Sequence, residues 1–219
     1  MTDTVLAFYR RPADETAEGF GKRLRDAAAA IAADPGASTV VLLVDDGSTG
    51  GPPEATAMPS QFDAALVAAG IPAAALPAPD AAFAVTRRVI KARERGRDGE
   101  RSEGFTVICP SVRAPFLTHD QFDAHWRDNH SRIHVASSPG TCHYEQLIID
   151  DVLTPDAPSW DGVGLLSFAT ATDYTERIFD GPEGQKAIYD DVARFLDLEA
   201  GETLPASEYV YRDDYQPQT

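Results

Sequence analysis

The chain has 219 residues, 43% of them hydrophobic and 25% charged, which is enough to bury one large core or two small ones. Thirty-five acids against nineteen bases leave a net charge of −16, and such a surface repels phosphate backbones and anionic lipid. Nucleic acid and membranes are therefore not expected partners. No apolar run reaches the ~20 residues of a spanning helix. Met1-Thr2-Asp3-Thr4 lacks the basic and apolar regions of a signal peptide, so the expected location is cytoplasmic. Cys109 and Cys142 make no disulfide framework. Abundant Ala, Arg and Asp suggest a GC-rich bacterial source.

The first predicted strand is Thr4 to Arg10, stopped by Pro12, and a helix follows from Glu15 to Ala33. Ser38 to Val44 reads as a buried strand and Asp45 to Pro59 as a loop. Gln61 to Ala69 is expected to be a short helix, Ile71 to Ala75 a strand, and Ala82 to Ala92 the last strand of this half. Arg93 to Gly104 is charged and punctuated by glycine. The boundary falls there, with halves at 1–96 and 105–219 and a linker at 97–104.

The second half is clearer. Phe105 to Val112 is a strand. Thr118 is an N-cap, with Gln121 completing a capping box for a helix that runs to Ala136. Strands follow at His143 to Asp150 and Gly162 to Ala169. A helix over Tyr174 to Leu198 is interrupted near Gly181-Pro182, and Glu208 to Asp213 closes the half as a strand.

The halves repeat. A shift of 102 positions places Arg11 on Arg113, Thr16 on Thr118, Phe20 on Phe122, Arg25-Asp26 on Arg127-Asp128 and Ile31 on Ile133. Two βαββαβ units in one chain predict an α+β barrel formed by a pseudo-dimer.

Helix 118–136 carries the chemistry. At ~100° per residue, Phe122, Trp126, Asn129 and Ile133 share a stripe roughly 60° wide, with His130 on one flank and His125 on the other. The first-half stripe, Phe20, Leu24, Ala27 and Ile31, is wholly apolar, and Ala28 stands where the second half has His130. Burying polar groups without partners costs ~1–3 kcal/mol, so a hydrogen-bond partner or a pocket must offset them. His130 is the candidate general acid or base, because imidazole titrates near ~6.5. The bland alternative is a core histidine satisfied by backbone. His125 and Asn129 are candidate supporting groups, and Trp126 is core or pocket wall. Tyr144, Tyr209 and Tyr211 offer either hydrogen bonds or packing.

A metal is the competing reading, with His130 and His134 one turn apart and His143 or Glu145 as a third ligand. Ser131, however, stands where a zincin has Glu. Cys109 reads as core, and no phosphate cradle or GxSxG elbow is present. The run Tyr189-Asp190-Asp191 reads as the solvated face of an amphipathic helix.

Leu117-Thr118-His119-Asp120-Gln121-Phe122-Asp123-Ala124-His125-Trp126-Arg127-Asp128-Asn129-His130 resembles the EthD-like family of the dimeric α+β barrel superfamily. The family pattern falls on Arg113, Phe122, Trp126 and His130, and Gly181-Pro182-Glu183 with Tyr189-Asp190-Asp191-Val192 and Phe195 resemble its second helix. The resemblance covers Phe105 to Tyr215, and the first half then reads as a degenerate copy without the histidine. It implies two ferredoxin-like units pairing their sheets into a barrel. It also implies chemistry on aromatic or polyketide-like molecules, mostly without a cofactor. The expected activity is a cofactor-independent lyase, cyclase or isomerase, with His130, His125 and Asn129 catalytic and Trp126, Tyr144 and Arg113 binding substrate. The alternatives are a non-catalytic small-molecule-binding accessory protein and a cofactor-free monooxygenase. The expected partner is a hydrophobic small molecule, and a homodimer of pseudo-dimers is left open.

Overall fold

Eight antiparallel strands close into a barrel in the order β1-β3-β2-β8-β5-β7-β6-β4. The computed structural model describes residues 4–56 and 58–215. In the first half, β1 (Thr4–Tyr9), α1 (Ala17–Ala32), β2 (Thr39–Val44), β3 (Ala64–Ala69) and β4 (Ala81–Lys91) follow one another. The second half runs β5 (Phe105–Ser111), α2 (His119–His125), a π turn (Trp126–His130) and α3 (Ser131–Ser137). It continues with β6 (Thr141–Val152), β7 (Gly162–Phe168), α4 (Ala171–Arg177), α5 (Gly181–Val192) and β8 (Leu204–Asp213).

Each half lays its strands in the ferredoxin-like order, β2-β3-β1-β4 and β6-β7-β5-β8. The halves join where β4 pairs β6, with Arg87 opposite Leu147, and where β2 pairs β8, with Leu42 opposite Tyr209. The internal repeat is visible in the caps. The Thr16 and Thr118 hydroxyls accept from the Gly19 and Gln121 amides, and Gln121 completes its capping box.

Two expectations for the first half are corrected. Residues 64–69 form a fully buried strand rather than a helix. Residues 73–75 form one 3-10 turn rather than a strand. Ala-Ala-Leu-Val-Ala-Ala has good helix propensity, but β3 lies between β1 and β2 and is covered on both faces, so pairing and burial override propensity. That turn also occupies the place of a second α-helix, which the first half lacks among the described residues.

Alternation along the strands divides the core. Leu6, Phe8, Val41, Leu43, Phe83, Leu147, Val163 and Leu165 fill the barrel, whereas Val5, Ala7, Val40, Leu42 and Val44 meet Phe20, Leu24 and Ala28 of α1. Both faces are apolar, which explains the unbroken runs. Towards one end the barrel carries ions. Arg87 donates to both Glu145 oxygens at 2.7 and 2.8 Å and to Asp213 at 2.7 Å, and Arg95 pairs with Glu145, Glu208 and Asp213. Burial pushes the Glu145 carboxyl up, but Arg87, His143 and Arg95 outweigh it and hold the group below the usual range. The segment between the halves stays on the barrel, the Gly99 amide donating to Val210 O and the Ser102 amide to Glu208 O. Among the described residues, no helix is long and apolar enough to cross a membrane.

Candidate active site

The helix under His130 is not regular. Its middle turn, Trp126–His130, is a π turn closed from the Ser131 amide to Trp126 O, and the Ser131 hydroxyl donates to the same oxygen at 2.9 Å. A regular helix would set His125 and His130 about 140° apart. An i to i+5 closure narrows that angle enough for both rings to reach one carboxylate. The expected opposite flanks are therefore corrected to a shared face. The turn also advances the buried face beyond it, so Ser131 and His134 are buried and Ile133 is only half-buried.

Both imidazoles converge on Asp191 of α5. His130 Nδ1 lies 2.8 Å from Oδ2, His125 Nε2 lies 2.9 Å from Oδ1, and Asn129 Nδ2 donates to Oδ1 at 2.9 Å. Sequence reasoning assigned Asp191 to the solvated face, yet it is 2% exposed, and its neighbour Asp190 holds the outer position with Lys186. Gly184, Ile188 and Asp191 share the buried face of α5. That spacing was the available signal. Burial pushes the Asp191 carboxyl up, but hydrogen bonds from His130 and His125 outweigh it and hold the group below its ordinary value. The carboxylate is thus charged and fixes His130 with Nδ1 facing inward. Among the described residues, His130 Nε2 has no hydrogen-bond partner.

His130 lines a cavity of about 210 Å³ together with His134, Trp126, Tyr144, Cys109 and Phe195. Ile178 and Phe179 cover it from the α4–α5 connection, and its lining contains no lysine, arginine or carboxylate. Burial, with His130 and Lys91 nearby, pushes the His134 imidazole down to about 3, so it is neutral near neutral pH. Burial pushes the Cys109 thiol up to about 12, which leaves no thiolate for nucleophilic chemistry. Burial likewise raises the Tyr144 phenol, so it stays protonated, while its oxygen accepts from Trp126 Nε1 at 2.6 Å.

The candidates therefore divide. His130, Trp126 and Tyr144 line the cavity, while His125 and Asn129 stand behind His130 on Asp191. Arg113 lies apart from it, paired with Asp161 and donating to Leu117 O, which fixes the turn into α2. Tyr209 and Tyr211, on β8, reach across to the first half instead, donating to Asp46 and to Arg25 O. For a metal, His143 and Glu145 are committed to each other and to Arg87 in the barrel. No three His, Cys, Asp or Glu among the described residues are grouped to hold a metal ion.

No curated protein matches the sequence significantly. Residues 114–199 match the EthD domain family, and this stretch contains α2, the π turn and α5. The barrel is similar to the crystal structure of an anthrone oxidase-like protein, with a TM-score of 0.59, 10% identity, and coverage of 100% of this chain and 97% of the other. It is also similar to a candidate monooxygenase from Lactobacillus acidophilus NCFM, with a TM-score of 0.52, 9% identity, and coverage of 97% and 96%. Residues 114–199 thus resemble an EthD domain, set in a barrel whose fold is shared with both solved structures.

Proposed function

We propose that this chain is a cofactor-independent enzyme that moves a proton on a hydrophobic, aromatic or polyketide-like small molecule. One observation carries the reading. His130 is anchored through Nδ1 to a buried carboxylate, and its Nε2, free of protein partners, belongs to a ring lining an apolar cavity. A carboxylate on Nδ1 sets the tautomer and stabilises the imidazolium that forms when Nε2 accepts a proton. The proton would come from a carbon next to a carbonyl or phenol. Charge developing on that oxygen would meet the Tyr144 hydroxyl as a donor. Returning the proton to another carbon gives isomerisation, expelling a hydroxyl gives dehydration, and forming a carbon–carbon bond gives cyclisation. The lining without charged side chains favours uncharged substrates.

Deuterium exchange tests the step that these reactions share. With anthrone in D2O, the protein should speed loss of the methylene proton signal, and His130→Ala should abolish that acceleration while moving the melting temperature by only a few degrees. Acceleration that survives His130→Ala sinks the reading. Aromatic compounds that bind and return unexchanged favour an accessory binding protein.

The names of the two solved structures favour a second reading, cofactor-free oxygenation. The same deprotonation would yield a carbanion that reduces O2. A ring methylene becomes a carbonyl, one oxygen atom entering the product and the other leaving as water. Consumption of one O2 per product, and loss of product without oxygen, separate this from proton transfer alone.

A further inference from the structure

Gln146 on β6 is fully buried beneath the π turn, and its amide meets three groups. Nε2 lies 3.1 Å from Trp126 O, 2.8 Å from Ser131 Oγ and 3.1 Å from the Tyr144 hydroxyl oxygen. Trp126 O is the acceptor on which the π turn closes, so one side chain ties that turn to the tyrosine. The Tyr144 oxygen also accepts from Trp126 Nε1 at 2.6 Å. Two N–H groups then occupy its lone pairs, and its own proton has no acceptor among the described residues. The arrangement has a cost, because Gln146 Oε1 is buried without a partner. The first half avoids that cost, since the positions of β2 facing α1 are Val40, Leu42 and Val44. Packing therefore does not call for an amide here.

We propose that Gln146 is a positioning residue that holds Tyr144 as a fixed hydrogen-bond donor, selecting aromatic ligands that carry a carbonyl or hydroxyl oxygen. This rests on the reading of the His130 cavity as the binding site. The ligand oxygen sits at Tyr144, which sets the neighbouring carbon before His130. A side chain that merely filled space would tolerate leucine without changing which ligands bind.

The test compares 1-naphthol with naphthalene, which differ by one hydroxyl, by calorimetry on the intact protein. Wild type is expected to prefer 1-naphthol by about tenfold, the worth of one hydrogen bond. Gln146→Leu should cut that preference below about threefold and leave naphthalene affinity within about twofold. If Gln146→Leu does not fold, Tyr144→Phe removes the same donor and should erase the same preference. A preference unchanged in Gln146→Leu, or in Tyr144→Phe where the leucine variant does not fold, overturns the proposal. Equal binding of both compounds to wild type also overturns it, while leaving the cavity reading standing. Binding of neither overturns both.

Discussion

The indole of Trp126 occupies the space that a side chain at Gly162 would need: a Cβ built there would lie 2.4 Å from Trp126 Cζ3. Gly164 lies beneath the same ring, so β7 opens a slot through which Trp126 reaches Tyr144. Phe122 and Phe195 hold the indole from the other side, with ring centroids 5.2 and 6.3 Å away. Gly162→Ala should cost ~1–3 kcal/mol by overpacking and displace the indole. Urea unfolding measures the cost, and the Trp126 indole N–H resonance reports the displacement. An unmoved resonance at full stability would show that the slot is not tight.

Asp191 carries two imidazoles and an amide, so removing its charge should act on stability and on turnover together. Asp191→Asn turns an acceptor into a donor facing three donors, and the expected loss is about 2–4 kcal/mol. The sign with pH follows from its depressed pKa. The folded state holds the carboxylate deprotonated more strongly than the unfolded chain does. Its contribution is complete above the ordinary carboxylate pKa and is lost as pH falls through the lower folded value. Acid titration of wild type against Asp191→Asn should therefore show a smaller acid-dependent loss below pH ~4 in the variant.

His134 acts in a higher window. Its folded value of about 3 lies well below the ordinary 6.5, so between these the unfolded chain binds a proton that the folded chain excludes. Stability therefore falls as pH drops from about 6.5 towards 3. His134 Nε2 reaches Thr141 Oγ1 at 3.3 Å, a contact that glutamine can approximate. His134→Gln should lose less stability than wild type between pH 7 and pH 5. Equal losses in denaturant unfolding would place the pH dependence elsewhere.

The first half offers a test by transplantation. Ala28 is fully buried against Val40, Leu42 and Val44, in the place matching His130. Among the described residues, no α5 equivalent stands there to supply a carboxylate, since that part of the half is the 3-10 turn Ala73–Ala75. Ala28→His should destabilise by at least ~2 kcal/mol and create no second site. Thermal unfolding and the exchange assay with His130→Ala as background measure both outcomes.

Much of this was legible in the chain itself. The repeat of Thr16, Phe20 and Ile31 in Thr118, Phe122 and Ile133 located both main helices, and the contrast of Ala28 with His130 marked the helix face that needs a partner or a pocket. What was not legible has physical causes. The π turn leaves no pattern in residue type, because it depends on Ser131 and Gln146 bonding to one carbonyl. Asp191 was hidden by its company, one exposed acid and one exposed tyrosine beside it. The strand at Ala64–Ala69 was hidden by alanine, which favours helices until sheet neighbours claim both faces.

A ring of strands has no first or last member, and that binds the fate of the half that carries His130 to the other. Residues 105–215 alone would expose β6 and β8 as raw edges, each lacking the partner that β4 and β2 provide. Because β8 meets β2 as β4 meets β6, a second copy of the same fragment presents the matching edges. The severed half should therefore pair with itself, regaining a closed ring that carries two copies of His130 in place of one. The intact chain forgoes that second site, and its first half keeps the ring closed without one.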